Sequence, residues 1–333
     1  MSKKEDSLVV ELNSDRVNYA TGVLLNAEDF VAEQNYHRGR LARALGYLHG
    51  YGTVSGLRVE YEPATPALEE LAALSAVNST TIFPENALGQ PLGTVALGEQ
   101  STAVMKKRDS HDEMPGSSEE RIIVKPGLSI DRHGRLIEMS KPYCLRLNRW
   151  FESQDAEKLE NARHEAAINA VVVDLFIRFV TCEHGKTPAF ANGPFNSLDA
   201  VTAARLRDHF ELFTVLRPNN LPLPIPEPLW ESITNEPSGT RQDVLNESIL
   251  NSWREGTEFN NESGLNPLVE HAGVADTSSL LLARIQIPAI RGEGSGTGVD
   301  TPRPIRTEDP VIVDNYLRHF VYAAGALAQW MDK

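Results

Sequence analysis

The stretch from Tyr19 to Tyr61, YATGVLLNAEDFVAEQNYHRGRLARALGYLHGYGTVSGLRVEY, constrains the fold more than any other part of the chain. It carries its own helix start. Asn26 is a strong N-cap, Asp29 can reach back to it as in a capping box, and Leu25 and Phe30 flank the cap as a hydrophobic staple. From there Phe30, Gln34, His37, Leu41, Leu45 and Leu48 follow one helical face, with Glu33, Arg38, Arg40 and Arg43 off it. Phe30, Leu41, Leu45 and Leu48 are therefore expected to be buried. Gly50 and Gly52 tolerate the backbone angles that end a helix and turn the chain, and Thr53 to Tyr61 reads as a strand interrupted at Gly56.

A chain of 333 residues can hold one large or two modest domains and bury a real core. Its 41% hydrophobic and 23% charged residues are ordinary for a soluble globular protein. With 32 basic against 46 acidic residues the net charge is −14, which argues against nucleic acid or an anionic membrane as main partner. The start, MSKKEDSLVVELNSDR, lacks the apolar core of a signal peptide. The most apolar run, Ile168 to Val180, is interrupted by Asp174 and Arg178 and is too short to span a bilayer. A soluble cytoplasmic protein without a transmembrane segment is expected. Cys144 and Cys182 do not make a disulfide framework: a single bridge stays open, and two buried thiols are the default in a reducing compartment.

Along the chain, 1–18 reads as a flexible arm with a short strand at Ser7–Leu12. Residues 19–216 read as a helix-plus-β core domain, with an insertion near 62–120 that holds a short helix from Pro66 to Val77 and a polar, mobile stretch from Met105 to Glu120. Ile122–Val124, Leu128–Ile130 and Leu136–Met139 are strands, the last two forming a hairpin whose turn needs Gly134 at positive φ. Ser153 to His164 looks helical. Ala167 to Cys182 is the best strand, with Val173, Leu175, Ile177 and Phe179 on an apolar face and Val172, Asp174, Phe176, Arg178 and Val180 on a mixed one. Leu206, Phe210, Leu212 and Leu216 alternate in the next segment, where a helical start at Asp199–Arg207 is equally credible.

Residues 217–333 read as a proline-rich strap over 217–237, a helix at Gln242–Arg254, a completing strand at Leu280–Ile287, a glycine-rich loop at 291–304 and a C-terminal helix from Asp314 to Met331. That helix carries Leu317, Phe320, Val321, Ala324, Leu327 and Met331, and is apolar around so much of its circumference that a homotypic, trimeric interface is expected. The fold class is α+β: a mainly antiparallel β domain, sandwich or barrel-like, covered by the N-terminal and C-terminal helices.

The opening motif resembles a protein family encoded in gene clusters for contractile injection systems. In that family a G-x-LL-x-x-EDF-x-x-EQ-x-Y helix leads into an LHG-x-G-x-V-x-GL-x-V strand, and GVLLNAEDFVAEQNYHRGRLARALGYLHGYGTVSGLRV is similar to both in order. A second block resembles VKPGLSIDRHGRLIEM at Val124–Met139 with Cys144–Leu145, and a third the strand ending in Cys182–Glu183. The likeness is patchy and fades after about Leu216. Baseplate adaptors of phage tails and type VI secretion are similar more weakly, in their helix-then-strand plan. The resemblance implies a structural adaptor of a tail-like particle, peripheral to its baseplate, whose partners are itself and other baseplate proteins. It hands over no catalytic residues. The alternative is a hydrolase, or a glycan- or receptor-binding protein, carried by such a particle.

The residues that tempt toward chemistry have plainer readings. Gly292, Gly294, Gly296 and Gly298 alternate, but Pro302 and Pro304 follow where a phosphate loop needs a helix. Cys182, Glu183 and His184 lack the paired spacing of a zinc site. Asp131, His133 and Arg135 sit in a predicted hairpin turn, and His49 at a helix end. No catalytic, cofactor or metal residue is assigned, and no enzyme activity is expected. The residues expected to matter are structural: Phe30, Leu41, Leu45, Leu48, Gly50, Gly52, Gly56, Gly134 and the C-terminal apolar series.

Overall fold

The computed structural model describes residues 3–4, 15–22, 24–64, 119–165, 169–188, 201–227, 237, 240–250, 265–292 and 302–322. In chain order the elements are β1 (Lys3–Lys4), α1 (Ala27–His49), β2 (Gly52–Gly56), β3 (Val59–Glu62), β4 (Arg121–Val124), β5 (Gly127–Ile130), β6 (Leu136–Met139) and β7 (Tyr143–Arg146). Then come α2 (Leu147–Ser153), α3 (Ala156–Asn161), β8 (Arg163–His164), β9 (Ala170–Pro188), β10 (Val201–Leu216), α4 (Arg241–Leu250), a 3-10 turn (Val269–His271), β11 (Leu280–Ile290), β12 (Ile305–Arg306) and β13 (Ile312–Asp314). The mixture of helix and mainly antiparallel strand is the one expected of the sequence, and the strands lie in open sheets.

The chain divides into two compact units, one of Met1–Tyr61, Ile123–Cys144 and Gln154–Lys333, the other of Glu62–Ile122 and Leu145–Ser153. In the smaller unit the Leu147 N–H donates to the Glu120 carbonyl at 3.0 Å, and Arg149 grips the Glu119 carboxylate at 3.0 Å. Ile122, Leu147 and Phe151 are buried there.

The larger unit is built on β9. β10 pairs along it antiparallel from Leu216↔Val173 to Val201↔Pro188, and β11 pairs with it from Leu280↔Ile177 to Pro288↔Ala170. β8 and β1 add short antiparallel contacts to β9, while β12 and β13 pair with β11. The helical alternative for Asp199–Arg207 is thereby excluded: the segment is strand from Val201 onward. β5 and β6 form the expected hairpin, with β2 on its other edge.

Sequence alternation misleads on β9. From Ala170 to Ile177 every residue is buried, so the face holding Val172, Asp174 and Phe176 is as dry as its opposite. Asp174 is tolerated because two guanidinium groups bind it. Beyond Cys182 the paired strands lose this cover, and 183–186 and 204–208 are exposed.

The expected C-terminal helix is not formed over its described part. Ile312–Asp314 pairs with β11 and 315–322 are irregular, while Ala324, Leu327 and Met331 lie outside the described residues. Leu317, Phe320 and Val321 are half-buried. The reason lies in the polar residues between them. Asn315 donates to and accepts from the backbone of Val59, at 2.9 Å each way, like a strand partner. Arg318, buried, donates to the Leu57 carbonyl at 2.7 Å and to Asn315 Oδ1 at 2.6 Å. Thr53 exchanges backbone hydrogen bonds with His319 and Val321, both 2.9 Å. These bonds stitch 315–321 onto the strand that follows α1, which a helix would forbid. Burial pushes the Arg318 guanidinium down to about 10, opposed by the charge of Asp314.

The expected helices at Ser153–His164 and Gln242–Arg254 appear as the shorter α3, after α2, and as α4. Those expected at Pro66–Val77, with the Ser7–Leu12 strand and most of the Met105–Glu120 and 291–304 loops, lie outside the described residues.

Candidate interaction surfaces

α1 begins as its sequence dictates. Asn26 Oδ1 accepts from the Asp29 N–H at 2.9 Å, and Asp29 Oδ2 accepts from the Asn26 N–H at 2.8 Å, a complete capping box. The Gly50 N–H returns to the Gly46 carbonyl at 3.1 Å and closes the far end.

Its mounting is the reverse of the expected one. The buried residues of α1 are Gly39 and Ala42. Phe30 is 52% exposed, Leu41 55% and Leu48 77%, and Leu45 is half-buried. Small residues win the inner face because the helix backbone meets another backbone: a Cβ on Gly134, in the β5–β6 turn, would lie 1.8 Å from the Ala42 carbonyl oxygen. Large side chains cannot occupy so close a crossing, so the bulky stripe takes the opposite face. Leu41→Ala in dilute protein should accordingly change the unfolding free energy by no more than about 0.5 kcal/mol, read by urea denaturation. A loss of about 2 kcal/mol or more would show that the stripe is buried within one chain.

The other predicted positions are structural. Gly134 has φ +81° and completes the turn in which buried Asp131 accepts from the N–H groups of His133 (2.9 Å) and Arg135 (2.8 Å) and from Arg135 Nε (2.7 Å). Gly52, at φ +135°, sits where a Cβ would be 2.5 Å from the His319 carbonyl oxygen. Gly56 lies at the far end of β2 opposite Gly127. Both cysteines are free, Cys182 buried as expected and Cys144 exposed against expectation, because β7 is an edge strand with three of its four residues exposed. His184 receives a contact from Arg207 Nη2 at 3.1 Å. Among the described residues no group of His, Cys, Asp or Glu is arranged to hold a metal, and no helix is long and apolar enough to cross a membrane.

One cluster resembles acid–base machinery and sequence reading missed it, because its members lie far apart along the chain. His319 Nε2 bonds Glu270 Oε1 at 3.0 Å, beside buried His271. The Leu268 N–H donates to His271 Nδ1 at 3.0 Å and Nε2 donates to the Ser279 carbonyl at 2.9 Å, which fixes a neutral ring. Burial lowers the pKa of His271, outweighing the carbonyl that favours its charged form. Burial would raise Glu270, but the His319 hydrogen bond and its own backbone N–H hold it below its ordinary value. The space among Tyr51, Arg132, Glu270, Leu281 and His319 is too small to hold a water molecule.

Both shifts act in one direction on stability. The neutral His271 contributes fully above about pH 6.5 and its contribution is lost as pH falls below that value, when the unfolded chain takes up the proton first. Glu270 contributes above about pH 4.5 and loses its contribution as pH falls through its lowered folded value. The urea midpoint should fall on acidification from pH 7 to 4, and His271→Gln should flatten the part between pH 7 and 5. An unaltered slope in that variant would contradict the neutral, buried ring.

A concavity of about 540 Å³ lies between β6 and β10. Glu138, Lys141, Tyr143, Asp208 and His209 line it, and Tyr143 meets Phe210 edge-on with ring centres 5.0 Å apart. It is an open trough of mixed charge. A scan of family models, a search of curated proteins and a search of solved structures each returned no match.

Proposed function

We propose that the chain is a structural adaptor of a contractile, phage-tail-like injection particle, peripheral to its baseplate, acting by homo-oligomerisation and partner docking after cytoplasmic assembly. The observation that carries this reading is the exposed apolar face of α1, a 23-residue helix whose sequence motif is also the strongest point of resemblance to that family. A helix that turns Phe30, Leu41 and Leu48 to solvent invites a partner. The exposed stretch of the β9–β10 ribbon, at 183–186 and 204–208, offers a second docking element, since strand edges can add strands from other chains. On this reading the homo-oligomer is a trimer, and the open sheets pack face to face around β9 as a sandwich-like core.

A glycan- or receptor-binding role on the same particle is the second reading, favoured by the trough with Tyr143, Glu138 and Asp208 in its wall. The two separate experimentally. An adaptor sediments with sheath-containing particles and its deletion yields incomplete ones. A receptor binder is dispensable for assembly, and Tyr143→Ala would abolish target binding alone.

A further inference from the structure

The exposed face of α1 has a finer regularity than a patch. Phe30, Gln34, His37, Leu41, Ala44 and Leu48 follow one another at alternating spacings of four and three residues, and all six are exposed. That is the 3.5-residue repeat of a coiled-coil seam, and it lies opposite the Gly39–Ala42 face that grips the β5–β6 turn. We infer that α1 forms a parallel, in-register coiled coil with the α1 helices of other copies of this chain.

Self-pairing is favoured over a foreign helix by the seam's own complementarity. In register, Leu41 meets Leu41 and Leu48 meets Leu48 of a second copy, and the polar pair Gln34 and His37 penalises slipped alignments. Glu33 and Arg38, which within one chain lie 3.6 Å from His37 and 3.7 Å from Asp208, occupy the flanking positions that face each other across a parallel seam, where Glu33 of one copy would exchange its contact for Arg38 of the next. An antiparallel arrangement loses that pairing. At about 1.5 Å per residue the seam from Phe30 to Leu48 runs roughly 27 Å, a little under three heptads. The polar seam positions make the contact weaker than an all-leucine one.

This inference rests on the homo-oligomer reading above and assigns its surface, so the experiment separates the two. The full chain is compared with Leu41→Asp/Leu48→Asp by analytical ultracentrifugation across the micromolar range, with far-UV circular dichroism to confirm folding. Both leucines are exposed in one copy, so the variant is expected to fold. The expected result is an oligomeric wild type and a variant whose self-association is at least about 100-fold weaker. In a Cys144→Ser background, Leu41→Cys should form an intermolecular disulfide with oxidised glutathione, whereas Tyr316→Cys, 83% exposed elsewhere, should not. A wild type that stays monomeric overturns both readings. An oligomer that survives the double substitution, with no cross-link through Leu41→Cys, overturns the coiled coil and leaves assembly through another surface standing.

Discussion

Replacing Asp174 by alanine is expected to lower the unfolding free energy by about 3–5 kcal/mol. Asp174 is fully buried on β9, where Oδ1 accepts from Arg284 Nε at 2.7 Å and Oδ2 from Arg217 Nε at 2.7 Å and Arg284 Nη2 at 2.8 Å. The remaining guanidinium donors reach carbonyls: Arg217 those of Ala272 (2.5 Å) and Glu270 (2.6 Å), Arg284 that of Pro224 (2.7 Å). One carboxylate thus ties the proline strap and the Val269–His271 turn to the central strand. Without it two buried guanidinium groups lose their counter-charge, a far greater cost than losing an exposed pair. Urea denaturation at pH 7 measures the effect, and a loss below about 1 kcal/mol would contradict the buried triad.

Gly134→Ala is expected to cost about 2–5 kcal/mol, combining left-handed backbone strain with a clash that must displace α1. The added Cβ would lie 1.8 Å from the Ala42 carbonyl oxygen, at a residue with φ +81°. Gly46, across the same contact, makes the control. A Cβ there would rest 3.7 Å from the Gly134 Cα, ordinary contact in a helix, so Gly46→Ala should be neutral or stabilising by up to about 1 kcal/mol. Equal stability of Gly134→Ala and wild type would mean that the helix does not cross the turn so closely.

These residues also show what was legible beforehand. Caps and turns are local, so Asn26, Asp29, Gly50 and Gly134 could be read directly, as could the long strands from their β-branched runs. Which face of α1 is buried was not local. It depends on a backbone-to-backbone crossing with a turn some ninety residues away, and in such a crossing small residues, not large ones, mark the inside. The C-terminal segment failed for a related reason: its apolar spacing suits a helix, but Asn315, Arg318 and His319 hydrogen-bond to the strand after α1 instead. Buried charge was equally hidden. Asp174 looked like one polar residue on a mixed face because its partners Arg217 and Arg284 lie in other segments.

The exposed stripe, at first reading a core face, thereby becomes the surface through which the chain is proposed to assemble. The apolar content of Phe30, Leu41 and Leu48 was visible; its direction was set by tertiary contact.

Electron cryo-microscopy of an intact contractile particle from cells producing this chain tests the central claim most directly. The account predicts density for the chain at the periphery of the baseplate, in symmetry-related copies whose α1 helices face one another. A particle complete in sheath, tube and baseplate but without this chain, or one in which α1 faces solvent, would contradict it.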